Sequence, residues 1–369
     1  MKTLAIFGST GSIGQSSLKV YNKNKSKFNL LYLSAHTNYK KLISQYKKYN
    51  PKSIIITDKL TYNKYKKKNI LNEEIFFKKC KKKIDYVISG VSGFEALEIN
   101  IKLLKICKNL LIANKETIIC GGNVFLKLAK KHKCKIIPID SEHYCLYYFL
   151  NSFKNKKLID KIYLPASGGP FLYKKAKFNE KLNSVLKHPT WKMGEKISVD
   201  SSNLVNKILE LFEAKILFNL NSNQLKIIIE EKSNIHLIIK LKNNFYIPIA
   251  HKPNMQLTIS NSLNLKNNFE LKLKNLMIHF KNPNPKQFPL IKLGKKLLRQ
   301  DSSFSMIYFT VLNERLVNMF LNNKILYGDI SNNLVKVFKK KIIKKKSTIK
   351  INNILDVFKA IKFAKNIEI

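Results

Sequence analysis

At 369 residues and 45% hydrophobic content, the chain is long enough for two or three domains with real cores, which excludes a wholly disordered protein. The formal net charge of +46 invites a nucleic-acid or acidic-membrane partner. Only Arg299 and Arg315 among the basic residues are arginine, while Lys, Asn and Ile, which share A/T-rich codons, are all heavily used; a nucleic-acid reader favours the bidentate arginine fork, so the charge is read as codon bias and no specific nucleic-acid partner is expected.

Leu4–Phe7 reads as a buried strand, followed by Gly8-Ser9-Thr10-Gly11-Ser12-Ile13-Gly14 and a helix from about Gln15 to Tyr21. Between a strand and a helix, this glycine spacing lets backbone N–H groups approach a pyrophosphate, as a variant of the dinucleotide fingerprint; the alternative is a plain tight turn. The next strand, Asn29–Ala35, ends at His36-Thr37-Asn38 with no acid to bind ribose hydroxyls, which favours NADP(H), with Lys40 as a candidate 2′-phosphate partner. A helix at Tyr39–Tyr46, strands at Ser53–Thr57 and Asp85–Ser89, a helix from Phe94 to Ile106 and strands at Leu110–Ala113 and Ile136–Ile139 continue the alternation. The fold class is therefore α/β, opening with a Rossmann-like doubly wound parallel sheet over residues 1–139. Gly90-Val91-Ser92-Gly93 and Asn114-Lys115-Glu116 fall at strand C-terminal ends, where such sheets bind ligands, although either alone also reads as an ordinary polar loop.

Asp140-Ser141-Glu142-His143 follows the last of these strands. Read as an extended segment, its carboxylates at i and i+2 point to one side and repel unless a cation or proton neutralises them. With Glu210 they make three hard oxygen donors, suited to Mg²⁺ or Mn²⁺; the alternative is a solvated loop. Ser167-Gly168-Gly169, after a strand at Lys161–Leu164, is either an anion nest or a tight turn. From His188 to Glu213 the chain gives a loop with its lone Trp191, a cluster of Ser198, Ser201, Ser202 and Asn206, then a helix over 203–213. Asn206, Lys207, Glu210 and Glu213 share one face of that helix, read either as a ligand-holding face or as a surface helix with a Lys207–Glu210 ion pair. Lys226–Ile229, Ile235–Leu241 and Phe245–Ile249 read as adjacent strands covered by the 203–218 helix, giving a central α+β catalytic domain over 140–265. Pro283, Pro285 and Pro289 mark a linker over 266–289, and helices at Leu290–Leu298, Ser303–Leu321, Asp329–Lys340 and Asn352–Ala364 make a C-terminal helical domain over 290–369.

Five scattered cysteines with no Cys-x-x-Cys pair point to a reducing compartment and away from a disulfide frame or zinc site. Leu4–Phe7 is too short for a signal-peptide core and no apolar run approaches a membrane span, so no membrane partner and a cytoplasmic location are expected.

Taken together, these segments resemble the 1-deoxy-D-xylulose 5-phosphate reductoisomerases of the non-mevalonate isoprenoid route. The matching stretches are GSTGSIG at 8–14, ANKE at 113–116, DSEH at 140–143, SGGPF at 167–171, HPTWKMGEKISVDS at 188–201, NKILELFEA at 206–214 and IHLII at 235–239. The resemblance implies NADPH- and metal-dependent rearrangement and reduction of 1-deoxy-D-xylulose 5-phosphate to 2-C-methyl-D-erythritol 4-phosphate by a homodimer. It implies Mg²⁺ or Mn²⁺ on Asp140, Glu142 and Glu210, and NADPH contacts from Thr10, Gly11, Ser12, Ile13, Asn38, Asn114, Lys115, Glu116 and Gly194. It gives Ser141 to the substrate hydroxyls, Ser167, Ser201, Asn206 and Lys207 to the substrate phosphate with His188 beside them, and Trp191 and Met193 to a lid. Lys115, Glu142, His143 and His188 are the implied catalytic residues, with His236 and Met255 as further substrate contacts. The chain departs from the family pattern at His36-Thr37, where a small residue and a cation commonly stand near the 2′-phosphate, and at Glu230-Glu231, which replace a His-Pro pair. Another NADP-dependent dehydrogenase of a phosphorylated metabolite is the second enzyme reading, and the 188–201 stretch argues against it.

Overall fold

The computed structural model describes residues 1–153, 155–187, 194–272 and 278–368. The chain begins with seven strands in alternation with helices: β1 (Lys2–Phe7), α1 (Ser12–Asn22), β2 (Phe28–Ala35), α2 (Tyr39–Tyr49), β3 (Ser53–Ile56), α3 (Lys59–Tyr65), β4 (Ile70–Leu71), α4 (Glu73–Lys79), β5 (Ile84–Ser89), α5 (Ala96–Ile106), β6 (Cys107–Ile112), α6 (Lys115–Lys131) and β7 (Lys135–Pro138). They form one sheet in the order β4-β3-β2-β1-β5-β6-β7, with every neighbouring pair parallel. Continuous apolar runs suit strands covered on both faces, and Leu4, Ala5, Ile6 and Phe7 are wholly buried. The strand order reverses between β1 and β5, the place where an open α/β sheet leaves a crevice for a ligand. The Lys-rich stretch 59–83 carries α3, β4 and α4, none of which its composition announces.

The remaining elements are α7 (Ser141–Ser152), β8 (Ile159–Ala166), α8 (Leu182–Leu186), α9 (Glu195–Ser202), α10 (Val205–Phe218), β9 (Leu225–Ile229), β10 (Ile235–Leu241), β11 (Tyr246–Ala250), α11 (Met255–Ser262), α12 (Leu290–Gln300), α13 (Ser303–Leu321), α14 (Tyr327–Lys339), α15 (Lys341–Lys346) and α16 (Ile354–Asn366). A second sheet runs β11-β10-β8-β9, with β9 parallel to β8 and the other pairs antiparallel. The expected adjacency of β9 and β10 is corrected here, because β8 lies between them. At roughly 4.8 Å per strand, residues 230–234 must step about 10 Å across β8. Glu230 organises that step: its buried carboxylate accepts from the N–H groups of Lys232 (3.1 Å), Asn234 (2.8 Å) and Ile235 (3.2 Å). Glu230 is thus a turn-former. As expected, α10 packs on the second sheet, over β8 and β9.

Two compact units result. The first comprises Met1–Asn114, Phe125–Tyr144 and Asn254–Asn268, the last of these placing α11 against α1. The second comprises Lys115–Val124, Cys145–Pro253 and Phe269–Ile369. Within the second unit the C-terminal helices gather around α13, which packs on α9, α14 and α16 and is buried over most of its length. No helix among the described residues is long and apolar enough to cross a membrane.

Candidate active site

In the first unit, β1 delivers the chain into the glycine loop at the strand-order reversal. Gly8 has φ +71°, and a Cβ there would meet the Gly90 carbonyl oxygen at 2.7 Å; one on Gly14 would meet the Gly8 oxygen at 2.3 Å. Only glycine lets the loop close against both the β5 turn and the first turn of α1. Gly11 N–H donates to Gly8 O at 3.1 Å, and Gly11 caps α1 with no side-chain hydrogen bond, so the helix's opening amides are not covered by a capping side chain. Thr10, Gly11, Ser12 and Ile13 all lie on this half-exposed rim. A Cβ on Gly11 would touch Gly8 O only at an ordinary 3.5 Å. The loop is also braced from below, where the buried Ser9 hydroxyl reaches Gln45 Oε1 at 2.6 Å. Beyond β2, Asn38 is exposed and caps α2 by accepting from Lys41 N–H at 3.2 Å, while the exposed His36 ring lies 3.0 Å from the Thr57 hydroxyl. At the end of β6, buried Asn114 donates to the Gly93 carbonyl at 3.0 Å, joining two of the strand-end loops.

The Asp140–His143 stretch is not extended, which corrects the side-by-side carboxylate argument. Ser141 starts α7, and Asp140 stands before it as the capping residue, its Oδ1 accepting from the N–H groups of Glu142 (3.2 Å) and His143 (3.3 Å). An Asp followed by a polar turn of helix satisfies orphan amides, and that local gain defeats the strand continuation. The fully buried His143 ring lies with Nδ1 2.9 Å from the same oxygen, and Ser141 donates its hydroxyl to Glu142. Met255 opens α11 in this unit and is half-buried.

In the second unit, Lys115 and Glu116 begin α6, and Lys115 Nζ reaches Glu210 Oε1 at 3.1 Å. Glu210 also accepts from Asn206 Nδ2 at 2.6 Å and pairs with Lys207 Nζ at 2.5 Å. The Lys207–Glu210 ion pair exists, but not on a surface helix: Lys207 is 4% exposed, and Glu210 and Glu213 are 1% exposed. A buried carboxylate costs several kcal/mol unless cations and donors surround it, and here two lysines and an amide do so. The helix expected from 203 is present as α10 from Val205, and a second helix not expected from the sequence, α9, precedes it, the two separated by Leu204 at φ +62°. A leucine in the left-handed region is strained, and the break it makes leaves Ser201 in the last turn of one helix and Asn206 and Lys207 in the first turn of the next. Ser167-Gly168-Gly169 does form a left-handed turn, with φ +86° and +64° at the glycines. A Cβ on Gly169 would meet the Ser201 carbonyl at 2.8 Å, so the turn that follows Ser167 lies directly against the end of α9, at Ser201. The turn lines a cavity of about 560 Å³ with Ser167, Phe171, Tyr173, Lys187 and Glu231 on its wall. Buried His236, on β10, has Nε2 3.2 Å from the His251 carbonyl and stacks on the His251 ring at 3.6 Å. Gly194 opens α9; His188 and Trp191, with Met193, lie outside the described residues.

One cluster was not read from the sequence. Lys196 Nζ lies 2.6 Å from Glu116 Oε1 and 2.8 Å from Asp200 Oδ2, and Asp200 Oδ1 accepts from Asn313 Nδ2 at 2.8 Å. Burial pushes the Glu116 carboxyl upward, but the Lys196 ammonium outweighs it and holds the group below its ordinary value. Burial likewise opposes the charge on Lys196, and Asp200 with Glu116 more than offsets that, so its pKa stands above the usual lysine range. The available signal was the i, i+4 spacing of Lys196 and Asp200, hidden because the Ser- and β-branched-rich stretch 197–202 does not announce a helix.

Family profiles match over most of the chain: 1-deoxy-D-xylulose 5-phosphate reductoisomerase over residues 4–122, its C-terminal domain over 136–218, and the DXP reductoisomerase C-terminal domain over 251–367. The 1-deoxy-D-xylulose 5-phosphate reductoisomerase of Pelagibacter ubique (strain HTCC1062) is 41% identical, covering 97% of this chain and 96% of the relative. That of Clostridium novyi (strain NT) is 33% identical, covering 89% and 90%. A crystal structure of DOX-P reductoisomerase in complex with NADPH, fosmidomycin and magnesium superposes with a TM-score of 0.90 at 28% identity, over 99% of this chain and 98% of the other.

Proposed function

The chain belongs to the 1-deoxy-D-xylulose 5-phosphate reductoisomerase family, and from that premise we propose how its residues divide the reaction. The activity is the NADPH- and divalent-metal-dependent conversion of 1-deoxy-D-xylulose 5-phosphate to 2-C-methyl-D-erythritol 4-phosphate, in isoprenoid precursor synthesis. When bound, NADPH supplies the hydride and the cation supplies Lewis acidity at the substrate's ketone and neighbouring hydroxyl.

The residues fit both groups. The Gly8–Gly14 loop offers a backbone cradle at the N-terminus of α1, suited to a pyrophosphate, and Thr10, Gly11, Ser12 and Ile13 line it. Asn38, Asn114, Lys115, Glu116 and Gly194 carry the rest of the cofactor. Asp140, Glu142 and Glu210 hold the cation; an all-carboxylate set is hard and suits Mg²⁺ or Mn²⁺. The observation that carries the assignment is Glu210, a buried carboxylate ringed by the cations of Lys115 and Lys207 and the amide of Asn206. Ser167, Ser201, Asn206 and Lys207 anchor the substrate phosphate, giving binding energy away from the reacting carbons. Ser141 and His236 orient the sugar hydroxyls, with Met255 beside them, and Lys115, Glu142 and His143 are the groups that hold or move protons at the rearranging centre. His188 and Trp191 enter from the resemblance alone, Trp191 as the lid that excludes water from the reactive aldehyde. In an assay of purified protein with the substrate, NADPH and Mg²⁺, NADPH absorbance falls and excess EDTA stops the fall. Folded protein that binds NADPH and turns nothing over would overturn the reading.

A cytoplasmic homodimer belongs to the same proposal. Edge strand β11 leaves Tyr246 56% exposed, and Phe245 beside it is 68% exposed, a bare apolar edge of the kind proteins usually cover. Light scattering gives twice the chain mass of 42.8 kDa, and Tyr246→Lys shifts the protein toward monomer; a wild-type monomer at micromolar concentration refutes the dimer.

A further inference from the structure

We propose that Lys196 is a positioning residue that holds the cofactor-side pair Lys115-Glu116 and the phosphate-side Ser201 in fixed register. This rests on the proposed function above. Its place on α9 is wrong by every local rule. Lys196 sits in the first turn of that helix, where the helix dipole disfavours a cation, and its partner Asp200 lies four residues later, the less favourable order for a helical ion pair. Nor is it a surface pair: the side chains of Lys196, Glu116 and Asp200 are 17%, 8% and 1% exposed. Cost without local return points to a tertiary role.

That role follows from what the ammonium ties together. Glu116 adjoins Lys115, which bonds Glu210 at 3.1 Å. Asp200 immediately precedes Ser201, and its second oxygen is fixed by Asn313 from α13. One half-buried cation therefore clamps the start of α6 to both ends of α9, whose first residue follows Gly194. Lys196 reaches neither proposed ligand; it acts through Glu116 and Asp200.

The chain's only tryptophan, Trp191, lies five residues upstream and serves as a probe that needs no turnover. Full-length wild-type and Lys196→Met proteins, shown folded by circular dichroism, are titrated with inorganic phosphate by tryptophan fluorescence and assayed with NADPH, Mg²⁺ and 1-deoxy-D-xylulose 5-phosphate. Misplacing a site element by about 1 Å can cost on the order of 100-fold, so kcat/KM falls by about that factor and the phosphate midpoint rises by about tenfold. Lys196→Arg, which keeps the charge, recovers most of both losses. A midpoint shift below about fivefold in folded protein overturns the proposal, because a merely structural lysine lowers thermal stability without moving that midpoint. Should Lys196→Met not fold, Asp200→Asn keeps an acceptor for Asn313, removes the charge that holds Lys196, and is read the same way. A wild type that binds phosphate and does not turn over fails the proposed function, while the titration still decides the role of Lys196.

Discussion

Glu210→Gln yields a folded protein that still binds NADPH and loses about 10²–10³-fold in kcat/KM, the scale set by removing one charge-stabilising group from a preorganised site. The substitution is nearly isosteric, so α10 keeps its packing around Val205, Ile208, Leu209 and Phe212, all essentially buried. What changes is charge. Glu210 pairs with both Lys115 at 3.1 Å and Lys207 at 2.5 Å, and Asn206 donates to it at 2.6 Å. A glutamine offers one weak acceptor where a carboxylate offered two, and it turns N–H donors toward an ammonium. Breaking a buried pair costs on the order of 3–5 kcal/mol, which lysines can lessen by releasing a proton, so the melting temperature falls without loss of the fold. The pyrophosphate cradle lies in the glycine loop and the cofactor shares only Lys115 with Glu210, so the NADPH dissociation constant stays within about tenfold of wild type, a coupling of about 1.4 kcal/mol. Turnover is measured as kcat/KM against Mg²⁺ concentration, beside NADPH fluorescence titration. Wild-type kcat/KM with a wild-type Mg²⁺ dependence would remove Glu210 from the cation site.

Physical locality explains which parts of this site were legible in the sequence. The glycine loop was, because strand, turn and helix are consecutive and only glycine meets their steric demands. Helix α13 was read to its ends because Ser302 caps it and a long apolar run fills it. Asp140–Glu142 was misread because an Asp in strand context and an Asp capping a helix look alike until the amides of Glu142 and His143 are seen pointing at it. The polar face of α10 was visible, but not that it is buried, since spacing gives a stripe and never what covers it. The Lys196 clamp was least legible. Glu116 lies 80 residues from Lys196 and Asn313 lies 113 from its partner Asp200 along the chain, and nothing local selects them. The placement of β8 between β9 and β10 failed for the same reason: pairing across a sheet is decided by the crossover through α8, α9 and α10, not by nearness in sequence.

Gly14→Ala and Gly11→Ala separate what the loop needs for folding from what it offers the cofactor. A Cβ on Gly14 would stand 2.3 Å from Gly8 O, 2.4 Å from Ser9 Cα and 2.6 Å from Ser9 C, all backbone atoms with no rotamer to yield. Relief requires moving the loop away from α1, and Gly8 is already pinned against Gly90 on its other side. The expected result is a loss of about 2–3 kcal/mol in stability, the usual cost of overpacking, together with NADPH affinity weakened at least 100-fold, since a displaced cradle no longer aims its amides at the pyrophosphate. A Cβ on Gly11 meets Gly8 O at 3.5 Å, ordinary contact, at a backbone conformation open to any residue. That variant therefore melts within about a degree or two of wild type, as a substitution worth under 0.5 kcal/mol does, yet its new methyl projects from the exposed rim and weakens NADPH binding by about tenfold. Thermal melts and NADPH fluorescence titrations on the two proteins check both halves. If Gly11→Ala binds NADPH like wild type, the pyrophosphate does not lie over that rim; if Gly14→Ala melts like wild type, the loop is not held between α1 and the β5 turn as its backbone distances require.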